Sequence, residues 1–199
     1  MRTNILSLVL ALMIASCAQS TTTPFIPTAA QIEPTVIGSV SASTQEVPVT
    51  FTLTSTAFTQ GQPIPTDYSC KGRDISPALS WTEPPANTQS FALIMDDPDA
   101  PSGTWVHWVI YNIPASSRGL NEAMPKDAKL SDGSMQGTNS ARNTGYNGPC
   151  PPSGTHRYFF KLYALDTMLS LTNADKDKLL KAMDGHILAQ AELMGTFSK

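Results

Sequence analysis

The chain contains 199 residues, with 13 basic and 16 acidic side chains that give a formal charge of -3. Because the basic residues form no run, the composition excludes the electrostatic footprint of a nucleic-acid-binding protein, and we expect no nucleic-acid partner. The length suits one domain with a hydrophobic core, preceded by a segment of different composition.

The N-terminus has the pattern of a bacterial export signal. Arg2 supplies a positive charge, and Ile5–Ala15 is an apolar stretch that is too short to span a bilayer. The four residues that end at Cys17, Ile-Ala-Ser-Cys, resemble a lipobox, in which the cysteine is acylated and the chain is cut before it. We therefore expect residues 1–16 to be a lipoprotein signal peptide and Cys17 to anchor an exported cell-envelope protein to a bacterial membrane. An ordinary signal peptide with a cysteine near its cleavage site is the alternative.

A polar segment separates this anchor from the domain. It is rich in Ser, Thr, Gln, Pro and Ala, and it has too few large apolar side chains to offset the entropy of ordering the chain. We therefore interpret residues 17–46 as the lipidated cysteine followed by a flexible tether, and residues 47–199 as the folded domain.

Hydrophobic periodicity predicts strands through most of the domain. Residues 47–54 alternate with a period of two, which is typical of a half-buried strand, whereas 91–95 and 105–113 are apolar on both faces and fit central strands. A later alternating strand places His156 and Tyr158 on one face. Because these short strands are separated by turns rich in Pro and Gly, we predict a mainly β fold, an antiparallel β-sandwich.

The C-terminal region predicts one or two short peripheral helices. A helix would begin after Thr172 or Asn173 and end just before Gly185. Residues 187–197 alternate as a strand does, but their apolar positions also fit a helical period, so a second helix stays open.

Two cysteines, Cys70 and Cys150, remain once Cys17 is set aside. An oxidising compartment would allow a disulfide between them, yet nothing in the sequence fixes their separation, so the pair could equally stay reduced. No Cys-x-x-Cys spacing exists, so a metal site built on cysteines is not expected, and we predict no metal and no cofactor.

Two Pro-rich polar loops carry the strongest functional signal, because each leads into an aromatic strand that contains one histidine. The first loop precedes His107, and the second precedes His156. Proline fixes φ, so such loops hold neighbouring polar side chains in one geometry at low entropic cost. The loops therefore predict the walls of a small preformed pocket.

Four other polar residues are interpreted without a role in ligand binding. Asp96 and Asp99 stand before and after a proline segment, which is ordinary turn chemistry. Arg157 is expected on a solvated strand face, and His186 at a helix end without a ligand.

Six segments occur in a distinctive order: Ile75–Trp81, Asp97–Pro101, Trp105–Pro114, Gly145–Pro152, Gly154–Tyr158 and Gly185–Ala189. From about residue 50 to the C-terminus, the chain resembles the phosphatidylethanolamine-binding protein (PEBP) family, also called Raf-kinase-inhibitor-like, in its bacterial and archaeal branch. The resemblance implies a β-sandwich with a small anion pocket at one end. Carried over by position, the ligand-binding residues would be Asp97, Pro101, Trp105, His107, Gly148, His156 and Tyr158. Asp74 departs from the pattern, because this branch often has Asn there.

The resemblance and the residue chemistry together predict a non-enzymatic binding protein for a small anionic or phosphorylated group. The two histidines and Tyr158 would donate hydrogen bonds, and loop amides around Gly148 would complete the cradle. Asp97 would favour the charged form of both histidines. The group could be a phosphorylated ligand, a lipid headgroup or an acidic side chain of a partner.

Other functions stay open at this point. The pocket could inhibit a protease or a kinase, as members of the family do, and a homodimer is also open. A metal-dependent hydrolase would use two histidines and one aspartate as ligands, but no base is identifiable. A cysteine hydrolase would pair Cys150 with His156, although no helix N-terminus stands beside the thiol to activate it.

Overall fold

The structure is a computed structural model that describes Ser20 and residues 50–199. The predicted signal peptide, Cys17 and nearly all of the predicted tether lie outside the described residues. Within the described part, no helix is long and apolar enough to cross a membrane. The strands are β1 (Leu53–Ser55), β2 (Leu79–Trp81), β3 (Ser90–Asp97), β4 (Trp105–Pro114), β5 (Gly119–Leu120), β6 (Met135–Gln136), β7 (Thr155–Leu165) and β8 (Ile187–Ser198). A 3-10 helix spans Thr66–Tyr68, and the helix α1 spans Lys176–Met183.

Two antiparallel sheets build the domain. The smaller has the strand order β1-β2-β5, and the larger has the order β6-β4-β3-β7-β8. Strand β3 lies at the centre of the larger sheet and pairs with β4 on one side and β7 on the other. The predicted mainly β, antiparallel fold and its central strands are thus confirmed.

The two faces of the large sheet are covered by different partners. One face packs against the small sheet: Leu93, Met95, Ile110 and Phe160 share a core cluster with Leu79 and Trp81. The opposite face, which includes Ile94 and Val109, packs against Leu179 and Met183 of α1. Because both faces are buried, the central strands need apolar side chains at every position, as their sequence shows.

Two predicted elements have different bounds, and the choice left open at the C-terminus is decided. Among the described residues, β1 is confined to Leu53–Ser55, so it begins later than predicted and ends one residue beyond the predicted range of 47–54, of which residues 47–49 lie outside the described part. Helix α1 begins later than predicted: its N-cap is Asp175, whose carboxylate accepts the backbone N–H of Lys178 at 2.9 Å. Residues 187–197 form a strand, as their alternation predicts, and not the alternative second helix, since β8 pairs with β7 along nearly its whole length. Gly185 does follow the helix, with a φ of 77°.

Candidate functional site

Three strand ends meet at one edge of the large sheet. Strand β3 ends at Asp97, and its neighbours β4 and β7 begin beside that end. Because antiparallel neighbours run in opposite directions, the last residue of β3 lies next to the first residues of both. The topology therefore brings Asp97 of the first Pro-rich loop together with His156, which follows the second.

His107 reaches this edge through a β-bulge. The pairing of β3 with β4 shifts its register between residues 95 and 96, which leaves His107 as an extra residue without a partner across the strands. Strict alternation would place its side chain on the face of Val109, beneath α1. The bulge instead turns the ring toward Tyr158, with the two ring centroids 5.2 Å apart in an edge-on arrangement.

His156 and Asp97 form a buried pair. Nδ1 of His156 lies 2.7 Å from Oδ2 of Asp97, and the side chains are 8% and 5% exposed. The second carboxylate oxygen accepts the backbone N–H of Asp99 at 2.8 Å. Because Nδ1 of His156 donates to the carboxylate, its Nε2 is the ring nitrogen left for a ligand.

His107 is oriented by a backbone carbonyl instead of a carboxylate. Its Nδ1 lies 2.7 Å from the carbonyl oxygen of Asn147, and a carbonyl can only accept, so Nδ1 carries the proton. Burial lowers the pKa of His107, and this effect outweighs the Asn147 hydrogen bond and the charge of Asp97, which raise it. Asp97 therefore favours the charged form of His107, as predicted, but burial outweighs its effect on this ring.

The hydroxyl of Tyr158 is a buried donor beside this pair of histidines. The side chain is fully buried, and none of residues 50–199 makes a well-aligned hydrogen bond to its Oη, although the Asp97 carboxylate and the Cys150 backbone lie close to it. Burial raises the pKa of Tyr158, and the charges of Asp97 and Asp99 raise it further. The hydroxyl therefore keeps its proton and remains able to donate.

The two Pro-rich loops, the two histidines and Asp97 border a cavity of about 340 Å³, a size that suits a small ligand. Trp105 is 38% exposed at its mouth. Gly148 and Tyr158 do not border the cavity itself, and Tyr158 lies one layer deeper, against His107. The lining residues are Asp97, Ala100, Pro101, Ser102, Trp105, His107, Asn147, Cys150, Pro152 and His156.

An upstream segment fixes the second loop as a wall of the cavity. Cys70 and Cys150 form a disulfide, and the backbone N–H of Cys70 donates to the carbonyl of Pro149 at 3.1 Å. The backbone N–H of Gly148 donates to Oδ1 of Asp74 at 2.6 Å. The loop is thus attached at three consecutive residues, which holds the neighbouring carbonyl that orients His107.

Gly148 has a different role from the predicted one. Its amide is bonded to Asp74, so it does not contribute to an anion cradle. A Cβ at this position would lie 2.5 Å from the carbonyl oxygen of Tyr68 and 2.8 Å from Oδ1 of Asp74, so the close packing requires glycine. Asp74 itself has a φ of 55°, a conformation that Asp and Asn tolerate better than most residues.

The sequence predicted that Asp96 and Asp99 are simple turn residues, but both form ion pairs in the structure. Asp96 is buried on the opposite face of β3 from Asp97, where it forms ion pairs with Lys161 and Lys176. Asp99 accepts two side-chain hydrogen bonds from Arg157, at 2.9 and 2.7 Å, and these lower the pKa of Asp99 to about 2. Arg157 is half-exposed, as predicted, but its guanidinium is held by Asp99.

The sequence did not reveal the part that Asn147 plays in this site. Asn147 acts through its backbone carbonyl, which has no side-chain signature, and only its position in the Gly145–Pro152 motif could have drawn attention to it. Asp74 was noticed as a departure from the family pattern, but its hydrogen bond to the loop follows from the tertiary structure alone.

Comparisons with known proteins agree with this fold. Residues 54–198 match the family model described as phosphatidylethanolamine-binding protein. A UPF0098 protein of Methanothermobacter thermautotrophicus is 54% identical over 144 residues, which cover 72% of this chain and 95% of that protein. Another, from Chlamydia trachomatis, is 47% identical over 153 residues, or 74% of this chain and 98% of that protein.

Two crystal structures show the same architecture. A PEBP homologue from Chlamydia trachomatis has a TM-score of 0.69 and 46% identity, over 75% of this chain and 97% of that one. YbcL of E. coli, described as a member of the mammalian PEBP family, has a TM-score of 0.69 and 33% identity, over 75% and 98% of the two chains. The chain therefore belongs to the phosphatidylethanolamine-binding protein family, and this membership indicates a binding protein.

Proposed function

We propose that the domain is a non-enzymatic binding protein whose cavity takes a small phosphate-type anion. The observation that supports this proposal is the convergence of His156, paired with Asp97, and His107 at one cavity that the surrounding loops hold rigid. A charged imidazole donates a strong hydrogen bond to a phosphate oxygen, and its charge offsets that of the anion. The anion can belong to a free phosphorylated molecule or to a lipid headgroup.

The apolar rim of the cavity supports a ligand that has more than an anionic group. Trp105, Pro101 and Pro152 line the cavity together with the polar floor. Small-ligand sites commonly combine such apolar walls with a few polar groups that fix orientation. We therefore place the phosphate-type group at the histidines and the remainder of the ligand along Trp105.

Calorimetric titration with inorganic phosphate, phosphoethanolamine and nucleotides tests this proposal. We expect at least one of these anions to bind to the wild type and His156→Ala to weaken that binding by about tenfold or more. His186→Ala is the matched control, because His186 is exposed and bonded to Asp166 away from the cavity. Binding that survives His156→Ala unchanged would contradict the proposal.

Tyr158→Phe provides a second test that separates binding from folding. Because Oη of Tyr158 makes no well-aligned hydrogen bond to the described residues, its removal should change the free energy of unfolding little. If the hydroxyl donates to the ligand, the same variant should weaken binding. Unchanged affinity would remove Tyr158 from the proposed ligand set.

The proposal that the protein is not an enzyme is supported by the disulfide that contains the candidate nucleophile, Cys150. Cys150 is bonded to Cys70, so it offers no thiolate to a substrate. Among residues 50–199, no group of three or more His, Cys, Asp or Glu side chains is arranged to hold a metal ion. We expect no hydrolysis of phosphoester, ester or peptide substrates above buffer, and turnover that disappears in His156→Ala would reverse this assignment.

We also propose that the protein is an exported lipoprotein anchored through Cys17. The support is the lipobox-like sequence that ends at Cys17, together with the Cys70–Cys150 disulfide, which is typical of oxidising compartments. Cys17→Ser should release the protein from the membrane fraction while leaving the fold, measured by circular dichroism, intact. Recovery of this variant in membranes at the wild-type level would refute the lipid anchor.

A further inference from the structure

The lining of the cavity contains few groups that can carry positive charge. His107 and His156 are its basic side chains, Asp97 is its acidic one, and no Lys or Arg of residues 50–199 lines it. With one ring protonated, the carboxylate cancels the charge of that ring, and with both protonated the lining has an excess of one positive charge. This upper limit is the same whichever histidine binds a proton first.

The cations on neighbouring elements are each bound to a carboxylate. From β7, Tyr158 contacts His107 and stays neutral, because burial raises its pKa. Residues 1–49 contain one basic side chain, Arg2, within the predicted signal peptide. The lysines bound to Asp96 are separated from the cavity by the large sheet. The ion pairs are Arg157 with Asp99, Lys126 with Asp74, and Lys161 and Lys176 with Asp96.

The two rings also limit the number of hydrogen bonds that a ligand can receive from them. Each ring uses Nδ1 within the protein: Nδ1 of His107 donates to the Asn147 carbonyl, and Nδ1 of His156 donates to the Asp97 carboxylate. Each ring therefore has at most one N–H, at Nε2, for a ligand. Two such donors match the two terminal oxygens of a phosphate diester.

The charge of a phosphate ester depends on its class. A diester carries one negative charge, whereas a monoester carries two above its second pKa of about 6, on three bare oxygens. A buried charge without a partner is costly, and the second charge of a monoester would also lie near the Asp97 carboxylate. A dianion therefore exceeds what this lining can compensate, whereas a monoanion does not.

We infer that the cavity binds its ligand as a monoanion, so that a phosphate diester binds directly, whereas a phosphate monoester must take up a proton to bind at neutral pH. This inference rests on the proposed anion-binding function. It makes the ligand class at neutral pH that of phosphate diesters and other single-charged anions. A soluble diester and a lipid headgroup share this chemistry.

Calorimetry of methyl phosphate and dimethyl phosphate at pH 5 and pH 7.5 tests the inference, with a chelator present so that no divalent cation adds charge. Titration of the histidines affects both ligands and cancels in the ratio of their affinities. From pH 5 to pH 7.5, the ratio should shift about 30-fold in favour of dimethyl phosphate, since only about 3% of the monoester is a monoanion at pH 7.5. A ratio that is the same at both pH values would overturn the inference.

Proton uptake gives a second readout that does not depend on a variant. Heats of binding measured in buffers of different ionisation enthalpy give the number of protons bound with the ligand. At pH 7.5, methyl phosphate should take up about one proton more than dimethyl phosphate. Equal uptake would overturn the inference and leave the anion site intact, whereas binding of neither ester at either pH would overturn the proposed function itself.

A lysine added to the lining should relax the limit. Ser102 lines the cavity and is exposed, so a longer side chain can be accommodated there. Ser102→Lys should raise the affinity for methyl phosphate at pH 7.5 by at least about fivefold, because it adds a permanent positive charge. Ser102→Gln, of similar length but neutral, is the matched control. If both variants gave the same affinity ratio at pH 7.5, charge would not set the preference and the inference would fail.

Two further diesters distinguish the possible sources of the ligand. Glycerophosphoglycerol and dihexanoylphosphatidylglycerol carry the same diester, and only the second has acyl chains. Tighter binding of the acylated compound would assign the site to a lipid headgroup, and equal binding would assign it to a soluble diester. Both results agree with a monoanion site, whereas binding of methyl phosphate at pH 7.5 more tightly than either diester would contradict it.

Discussion

The two carboxylates at the end of β3 are adjacent in the chain but have opposite surroundings. Asp97 faces the cavity and accepts a hydrogen bond from one histidine, His156, whose Nε2 is left for a ligand. Asp96 faces the α1 side of the sheet, where the ammonium groups of Lys161 and Lys176 both bind it. We call these the pocket face and the lysine face.

Both carboxylates are buried, so the difference shows how the partner of a buried carboxylate separates a structural charge from one that a ligand can use. On the lysine face, two lysines bind one carboxylate, so its hydrogen-bonding capacity is largely used within the protein. On the pocket face, the carboxylate pairs with a single histidine whose ring lines the cavity. Of the two carboxylates, Asp97 is therefore the one whose partner a ligand can reach.

The largest effect on stability is expected from the disulfide that supports the pocket face. Replacing Cys70 and Cys150 together by serine should lower the free energy of unfolding by about 4 kcal/mol, since the disulfide closes a loop with a sequence separation of 80 residues. Denaturant unfolding of the oxidised wild type and the double variant measures this change. A loss below about 1 kcal/mol would show that the hydrogen bonds from Cys70 and Gly148 hold the loop without the disulfide.

Asp96→Ala should destabilise the lysine face without affecting the pocket. The substitution leaves Lys161 and Lys176 without their shared partner, and we expect a loss of about 3 kcal/mol in the free energy of unfolding. Affinity for phosphate should stay within about twofold of the wild type, because Asp96 points away from the cavity. If binding weakened as much as expected for Asp97→Asn, about tenfold, the proposed separation of the two faces would fail.

Asp97→Asn should change binding in a pH-dependent way. At pH 7.5 the variant should bind phosphate about tenfold more weakly, because the amide keeps a hydrogen-bond acceptor for His156 but loses the charge that stabilises a protonated ring. At pH 5.5 the loss should be smaller, since an unperturbed histidine with a pKa of about 6.5 is already charged there. Calorimetry at both pH values gives the comparison, and an equal loss at both would mean that Asp97 only shapes its turn.

The smallest effect is expected from the exposed ion pair at the pocket rim. Arg157→Ala should lower the stability only slightly, because the partners are 52% and 29% exposed and solvent screens their attraction. The pKa of Asp99 is lowered to about 2 in the folded state, so this contribution is present at neutral pH and is lost as the pH falls from about 4 toward 2. Thermal unfolding at pH 7 and pH 2.5 checks this sign, and a larger gain from Arg157 at pH 2.5 would contradict it.

Much of the framework follows from local sequence. Strict alternation in β7 placed His156 and Tyr158 on one face, and both are buried on the side of the small sheet. Continuous apolar runs identified the central strands β3 and β4, since a strand covered on both sides cannot alternate. The motif order identified the family, which the match over residues 54–198 confirms.

The tertiary structure alone decided how these residues form a site. The run at 105–113 is apolar on both faces, so its periodicity contains no information about which side His107 takes. That side depends on a bulge, which is a property of the pairing between β3 and β4 rather than of either strand. In the same way, the disulfide and the hydrogen bond from Gly148 to Asp74 join segments more than 70 residues apart. Local pattern fixes elements and faces, whereas register and long-range contacts fix which polar atoms meet.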